Sequence, residues 1–244
     1  MSILTLQEMS NNRLLTKLRE EDRHRLAKYM AVLELDQGDV LQKSGDEVIY
    51  TWFPCGAATA SFHLWVDDNN PGVEVALVGR EGAIGGIVSN GTIASYATAL
   101  VRSPGKFMRV KTKYLEQAKI SSIALRHWFA RYSDFFVAQA FQAAACNATH
   151  TIVQRTAKWL LLVEARTGTS EFEMTQEQLA ELLGVGRTFV TRTIGRLRDE
   201  GVIETRRGVF VIRDSATLQE RACDCTRMLE EHFNSVLEGI YPES

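Results

Sequence analysis

The period of the apolar positions changes several times along the chain. Leu14, Leu15, Leu18, Leu26, Tyr29 and Met30 recur at spacings near three and four, which predicts a helix over residues 10–33 with a Ser-Asn-Asn run as its cap. From Leu35 to about Lys111 the pattern shortens to apolar runs separated by turn signals such as Asp36–Asp39, Ser44–Asp46, Pro54–Gly56, Gly79–Gly82, Asn90-Gly91 and Pro104-Gly105. Val48–Phe53, Thr59–Val66, Val73–Val78, Ala97–Val101 and Phe107–Val110 are the predicted strands. Short strands at this spacing predict a β-sandwich or barrel. Asp67–Gly72 is expected to be a long, solvated hairpin loop.

Helical spacing returns from Ser121 to about Thr167. Residues 135–149 carry no charge and are rich in Ala, so a helix there must be buried on more than one side. Either it is the central helix of one domain, or it packs on its own barrel and on a second copy. Residues 152–165 predict a further helix ended by Gly168, and the best domain boundary lies near Thr149–Ile152.

Glu173–Asp214 is the most informative stretch. Thr175 precedes Gln176-Glu177-Gln178, a capping-box arrangement for a helix over 176–183 that buries Leu179, Leu182 and Leu183. Gly184 ends it. A second helix from Arg187 buries Val190, Ile194 and Leu197, and Gly201 ends that one. Val202–Glu204 and Val209–Ile212 are two short strands around Arg206-Arg207-Gly208. Helix, glycine turn, helix and hairpin make a winged helix-turn-helix, whose second helix fits the DNA major groove.

Charge supports this placement. The whole chain of 244 residues has 28 basic and 30 acidic residues, which excludes a globally basic nucleic-acid binder but not a basic patch. Arg187, Arg192, Arg196 and Arg198 lie between Gly186 and Arg198 without an acidic residue, and Arg206 and Arg207 add two charges at the hairpin turn. The segment 214–244 has seven acidic and two basic residues, which restores near-neutrality. Met228, Leu229, Phe233, Val236 and Leu237 give it an apolar face, expected to pack on the winged helix or on the N-terminal domain.

With these motifs in order, the chain resembles the Crp/Fnr family of bacterial transcription regulators, most closely at LAELLGVGRTFVTRTIGRLRDEGVI. The resemblance implies an α+β chain: an N-terminal β-roll or jelly-roll domain of the cyclic-nucleotide-binding type (1–121), a linker and long dimerisation helix (122–150), a C-terminal winged helix-turn-helix (151–214) and an acidic amphipathic helix (215–244). It implies a homodimer on an inverted-repeat promoter site. Arg187, Thr188 and Arg192 fall at the base-reading positions, and Thr175, Thr191, Arg196, Arg206 and Arg207 at the DNA backbone. Residues 135–149 become the dimer helix, with Ala138, Phe141 and Ala145 on its contact face. Double-stranded DNA and a second copy are the implied partners, with RNA polymerase a further one.

The family's nucleotide-binding members carry Gly-Glu and, about ten residues on, Arg-Ser/Thr-Ala. Here Gly85 aligns, Gly86 replaces the Glu, and Ser95 or Tyr96 stands at the Arg, so the effector pocket is expected to be degenerate and Gly86→Glu with Tyr96→Arg is the pair that would restore it. No cysteine precedes Cys55, which argues against the N-terminal iron–sulfur cluster of the oxygen-sensing branch. Cys223 and Cys225 are placed on one helix, facing different ways, one in the core and one on the surface. No metal site and no cofactor are expected. His150 is read as a hydrogen-bonding residue of the domain joint, not a haem ligand. Neither a catalytic motif nor a signal peptide or membrane span is recognised, so a soluble, cytoplasmic protein that is not an enzyme is expected. The competing reading is a ligand-binding module whose winged helix mediates protein–protein interaction.

Overall fold

The computed structural model describes residues 5–65, 73–87 and 93–240. The expected Asp67–Gly72 loop and the Asn90-Gly91 turn lie outside the described residues. The chain opens on three short helices, α1 (Leu6–Met9), α2 (Arg13–Thr16) and α3 (Glu20–Ala27). The single helix expected over 10–33 is therefore corrected: it is broken twice, and Met30–Leu35 is strand β1. Asn12 explains the first break. Its side chain accepts from Leu15 N at 3.1 Å as the cap of α2 and donates to the carbonyls of Pro54 and Gly82, both at 2.9 Å, tying the helices to the sheet.

Strands β2 (Val40–Gln42), β3 (Tyr50–Pro54), β4 (Thr59–Leu64), β5 (Val73–Val78), β6 (Thr98–Ser103) and β7 (Gly105–Lys111) follow. They form two antiparallel sheets, ordered β1-β7-β3 and β2-β6-β4-β5, and the non-sequential neighbours give a roll rather than a meander. Phe53, Met108 and Val110 are buried between the strands and the helices, and Phe107, on the opposite face of β7, is buried between the two sheets. Five strands lie where the apolar runs place them; β1 and β2 have too little alternation to announce themselves.

Glu74 is 4% exposed on β5, with His63 Nε2 of β4 at 3.7 Å and Arg102 Nε of β6 at 3.8 Å. Burial pushes its carboxyl up to about 7 despite the attraction of Arg102. The folded protein therefore holds a proton that the unfolded chain releases near pH 4.5. Stability present below that value is lost as pH rises towards 7. Glu74→Gln should flatten this decline, worth about 3 kcal/mol as an upper bound. Denaturant midpoints at pH 5 and pH 8 would measure it, and equal pH dependence in both proteins would refute it.

Helix α4 (Thr112–Ser121) leads into α5 (Ile123–Thr149), capped by Ser122, whose hydroxyl accepts from Leu125 N at 3.2 Å. The first half of α5 buries Trp128, Phe129, Tyr132 and Phe135 against the roll. Phe136, edge-on to Phe62 of β4 at 5.5 Å, and Gln139, whose amide donates to Leu77 O of β5 at 3.4 Å, keep α5 against the roll for another turn, while Val137, Ala140, Phe141, Ala144, Ala145 and Ala148 are exposed, with Ala138 half-buried. His150 ends α5, and a Thr151 capping box with Gln154 starts α6 (Ile152–Thr167), which stops at Gly168 with φ +75°.

The C-terminal part adds β8 (Glu171–Glu173), α7 (Gln176–Leu183), α8 (Arg187–Asp199), β9 (Ile203–Arg206) and β10 (Val209–Ile212), with sheet order β8-β10-β9. It ends in α9 (Ser215–Arg221) and α10 (Cys225–Leu237). One helix over the acidic tail is thus corrected to two. Phe233 and Leu237 of α10 pack into the N-terminal core and against α5, Phe233 lying edge-on to Phe135 at 5.0 Å, while Met228 is half exposed rather than part of the packed face. The two lobes share contacts. Leu77 of β5 belongs to the core formed by α6, α7 and α8, its carbonyl accepts from Arg166 of α6, and Arg166 also pairs with Glu81 at 3.0 Å. No helix of the described residues is long and apolar enough to cross a membrane.

Candidate nucleic-acid interface

Helices α7 and α8 are set by the local signals that the sequence carries. Thr175 Oγ1 accepts from Gln178 N at 3.1 Å, and Thr175 N donates to Gln178 Oε1 at 2.8 Å. Gly184 turns the chain with φ +61°, a conformation that glycine adopts without a Cβ penalty. Leu179, Leu182 and Leu183 of α7 meet Val190, Ile194 and Leu197 of α8 in one core. The guanidinium of Arg155, almost fully buried on α6, donates to the carbonyl of Leu183 and so satisfies the end of α7. Sequence reasoning missed this residue, because nothing in its neighbourhood marks it as a distant cap.

The other face of α8 points outward. Arg187, Thr188, Thr191 and Arg192 are exposed on its first two turns, as is Thr175 at the start of α7. Thr191 Oγ1 donates to Gln176 Oε1 at 2.8 Å and so links the two helices. Among the described residues Arg187, Arg192 and Arg207 make no ion pair. Two other arginines are engaged: Arg196 with Glu200 at 3.0 Å, and Arg206 with Glu204 at 3.0 Å. Hydrogen bonds from Arg213 and Arg206 hold Glu204 below the usual carboxylate range. The wing turn at Gly208 has φ +73° and presents Arg206 and Arg207 at its exposed tip.

The expected effector pocket looks different in the structure. Gly85 and Gly86 have φ of +81° and +59°, and a Cβ on Gly86 would collide with Thr112 Cγ2. Gly86→Glu is therefore corrected from a restoring change to a disruptive one. Ser95 is buried, donating to Ala97 O at 2.6 Å and accepting from Gln42 Nε2 at 2.7 Å. Gln42 Oε1 in turn lies 2.7 Å from where a Cβ on Gly85 would sit, so Gln42 fills the space between Gly85 and Ser95. Tyr96 is 85% exposed and lies outside this group.

The cysteine expectation is also corrected. Cys223 falls in the break between α9 and α10 and Cys225 begins α10, so they do not share a helix, and both are buried. They meet Cys146 and His150 from the end of α5, and the four donor atoms lie within 4.8 Å of one another. Burial pushes the Cys146 thiol up, but hydrogen bonds from His150 and Lys158 and the Lys158 charge outweigh it and bring the thiol down to about 7. The sequence did hold a signal, Cys146-x-x-x-His150, whose i, i+4 spacing puts both side chains on one helix face.

Residues 154–221 match the family model described as the Crp-like helix-turn-helix domain. No curated protein matches the chain. Among solved structures, FixK2 from Bradyrhizobium japonicum superposes with a TM-score of 0.67 at 15% identity, over 80% of this chain and 98% of that one. The c-di-GMP-responsive regulator CLP of Xanthomonas campestris gives 0.64 at 12% identity, over 80% and 99%. A CRP/FNR-family transcriptional regulator from Thermus thermophilus gives 0.59 at 19% identity, over 79% and 98%. The chain has the fold of Crp/Fnr transcription regulators, with a Crp-like helix-turn-helix domain in its C-terminal part.

Proposed function

We propose that this protein is a sequence-specific DNA-binding transcription regulator that acts as a homodimer on an inverted-repeat site. The observation that carries the reading is the exposed first turns of α8. There Arg187 and Arg192 have no carboxylate partner among the described residues, beside an N-terminus free to enter a groove. In this reading Arg187, Thr188 and Arg192 meet base edges, and Thr175, Thr191, Arg196, Arg206 and Arg207 meet the phosphate backbone. Residues 151–214 form the reading domain, and residues 1–121 a sensory or structural roll joined to it by 122–150. The exposed apolar stripe on α5 supports the dimer: Val137, Phe141, Ala144 and Ala148 lie on one face that no element of the described chain covers. Gln42, occupying the space between Gly85 and Ser95, supports a roll that does not use a cyclic nucleotide. Regulation would act by biasing how the two α5 helices and the joint at His150 orient the two α8 helices.

Selection from random duplexes, run with and without cyclic AMP, tests this reading. The expected product is an inverted repeat whose half-sites are about one helical turn apart, unchanged by the nucleotide. Recovery of no consensus would sink the DNA assignment, and a consensus dependent on cyclic AMP would sink the reading of the pocket.

A further inference from the structure

Cys146, His150, Cys223 and Cys225 have no role in DNA reading, yet they are the most concentrated set of soft donors among the described residues. Cys146 Sγ lies 3.7 Å from Cys223 Sγ, and Cys225 Sγ lies 3.5 Å from His150 Nδ1. A zinc ion bound tetrahedrally, with Zn–S of about 2.3 Å and Zn–N of about 2.0–2.1 Å, requires S–S edges of about 3.8 Å and S–N edges of about 3.6 Å. The two opposite edges of the set therefore already have the required lengths. We propose that these four residues form a closed Cys3His site for a zinc-type divalent cation, which fastens the break between α9 and α10 to the joint between α5 and α6.

Three further features fit that assignment. The three cysteines are buried at 0%, 5% and 2% exposure, so the site is closed, as structural rather than catalytic zinc sites are. Gln142 Nε2 lies 3.1 Å from Cys225 Sγ and Lys158 Nζ 3.3 Å from Cys146 Sγ, both positioned to donate to a thiolate. Three thiolates around a dication leave one net negative charge, which the Lys158 ammonium balances. Outer donors of this kind orient and tune metal ligands. On binding, each cysteine gives its proton to solvent and the imidazole binds through neutral Nδ1. A four-iron cluster gives each ligand its own iron and holds the donors farther apart than 4.8 Å, so the spacing favours a single ion.

This inference does not rest on DNA binding, and neither does its test. The full chain is purified under reducing conditions without chelator, and its metal and inorganic sulfide are measured. About one zinc per chain is expected, as the four-ligand site requires. Cys146→Ser and Cys225→Ser should each lower it by about tenfold or more, and Cys55→Ser should leave it intact. Wild-type protein stripped of metal and titrated with cobalt(II) should develop the visible bands of tetrahedral thiolate coordination, saturating at one equivalent. That titration decides the matter even if the serine variants fail to fold. The proposal is overturned by near-absence of metal together with no tetrahedral cobalt spectrum. Iron with inorganic sulfide in place of zinc overturns it too, as does a Cys146–Cys223 disulfide in the reduced preparation.

Discussion

Replacing Phe141 by Glu should convert the protein to monomers in sedimentation at low micromolar concentration and abolish tight binding to a two-half-site duplex. Phe141 is 72% exposed in the single chain, so the substitution leaves the protomer's own core untouched. If α5 meets a second α5 there, the same substitution buries an unpaired carboxylate at a two-fold contact. That costs several kcal/mol or forces the group to stay protonated. Ala145→Glu should act in the same direction, since small residues let two helices approach closely. Circular dichroism should not change, which separates a lost interface from a lost fold. A Phe141→Glu protein that stays dimeric would show that this stripe is not the interface.

The second large effect separates two kinds of arginine. Arg187→Ala or Arg192→Ala should remove a contact that discriminates one base pair by about 1–3 kcal/mol. With a half-site for each subunit, specific affinity should fall by about thirtyfold or more, and preference should relax at symmetric positions. Arg206→Ala with Arg207→Ala should weaken all sequences alike and flatten the salt slope, by up to about 3–4 units for four contacts at roughly 0.9 each. Glu204 changes that figure. Its carboxylate already holds Arg206, so a phosphate must displace it, and the flattening should fall below the four-contact limit. Salt titrations on selected and scrambled duplexes measure both effects. If the wing variant alone loses specificity, the wing is the reading element.

The helix-turn-helix unit was legible because its signals are local. The Thr175 cap, Gly184, the leucine spacing and Gly201 each act within a few residues, and the structure places α7, α8, β9 and β10 on them. Where the sequence misled, long-range contacts decide. Met30–Leu35 follows helical residues with apolar spacing of its own, but β7 recruits it as a strand from Met30↔Val110 to Leu35↔Gly105. Cys223 and Cys225 look like a pair on a helix until α10 turns back onto α5 and breaks the helix between them. Gly86 looks like a lost glutamate until Thr112, distant in sequence, is seen to leave no room for a side chain.

Leu77 has a consequence for how the molecule comes apart. A residue of the roll completes the hydrophobic core of the C-terminal lobe, and its carbonyl is held by Arg166 and by Gln139 at 3.4 Å. Excising the C-terminal lobe would uncover that core, and unfolding the roll would remove one of its members. The two lobes therefore melt as coupled partners rather than as beads on a string, and heat should produce one calorimetric transition, not two. A different N-terminal roll could replace this one only if it brought an apolar side chain to the place that Leu77 fills.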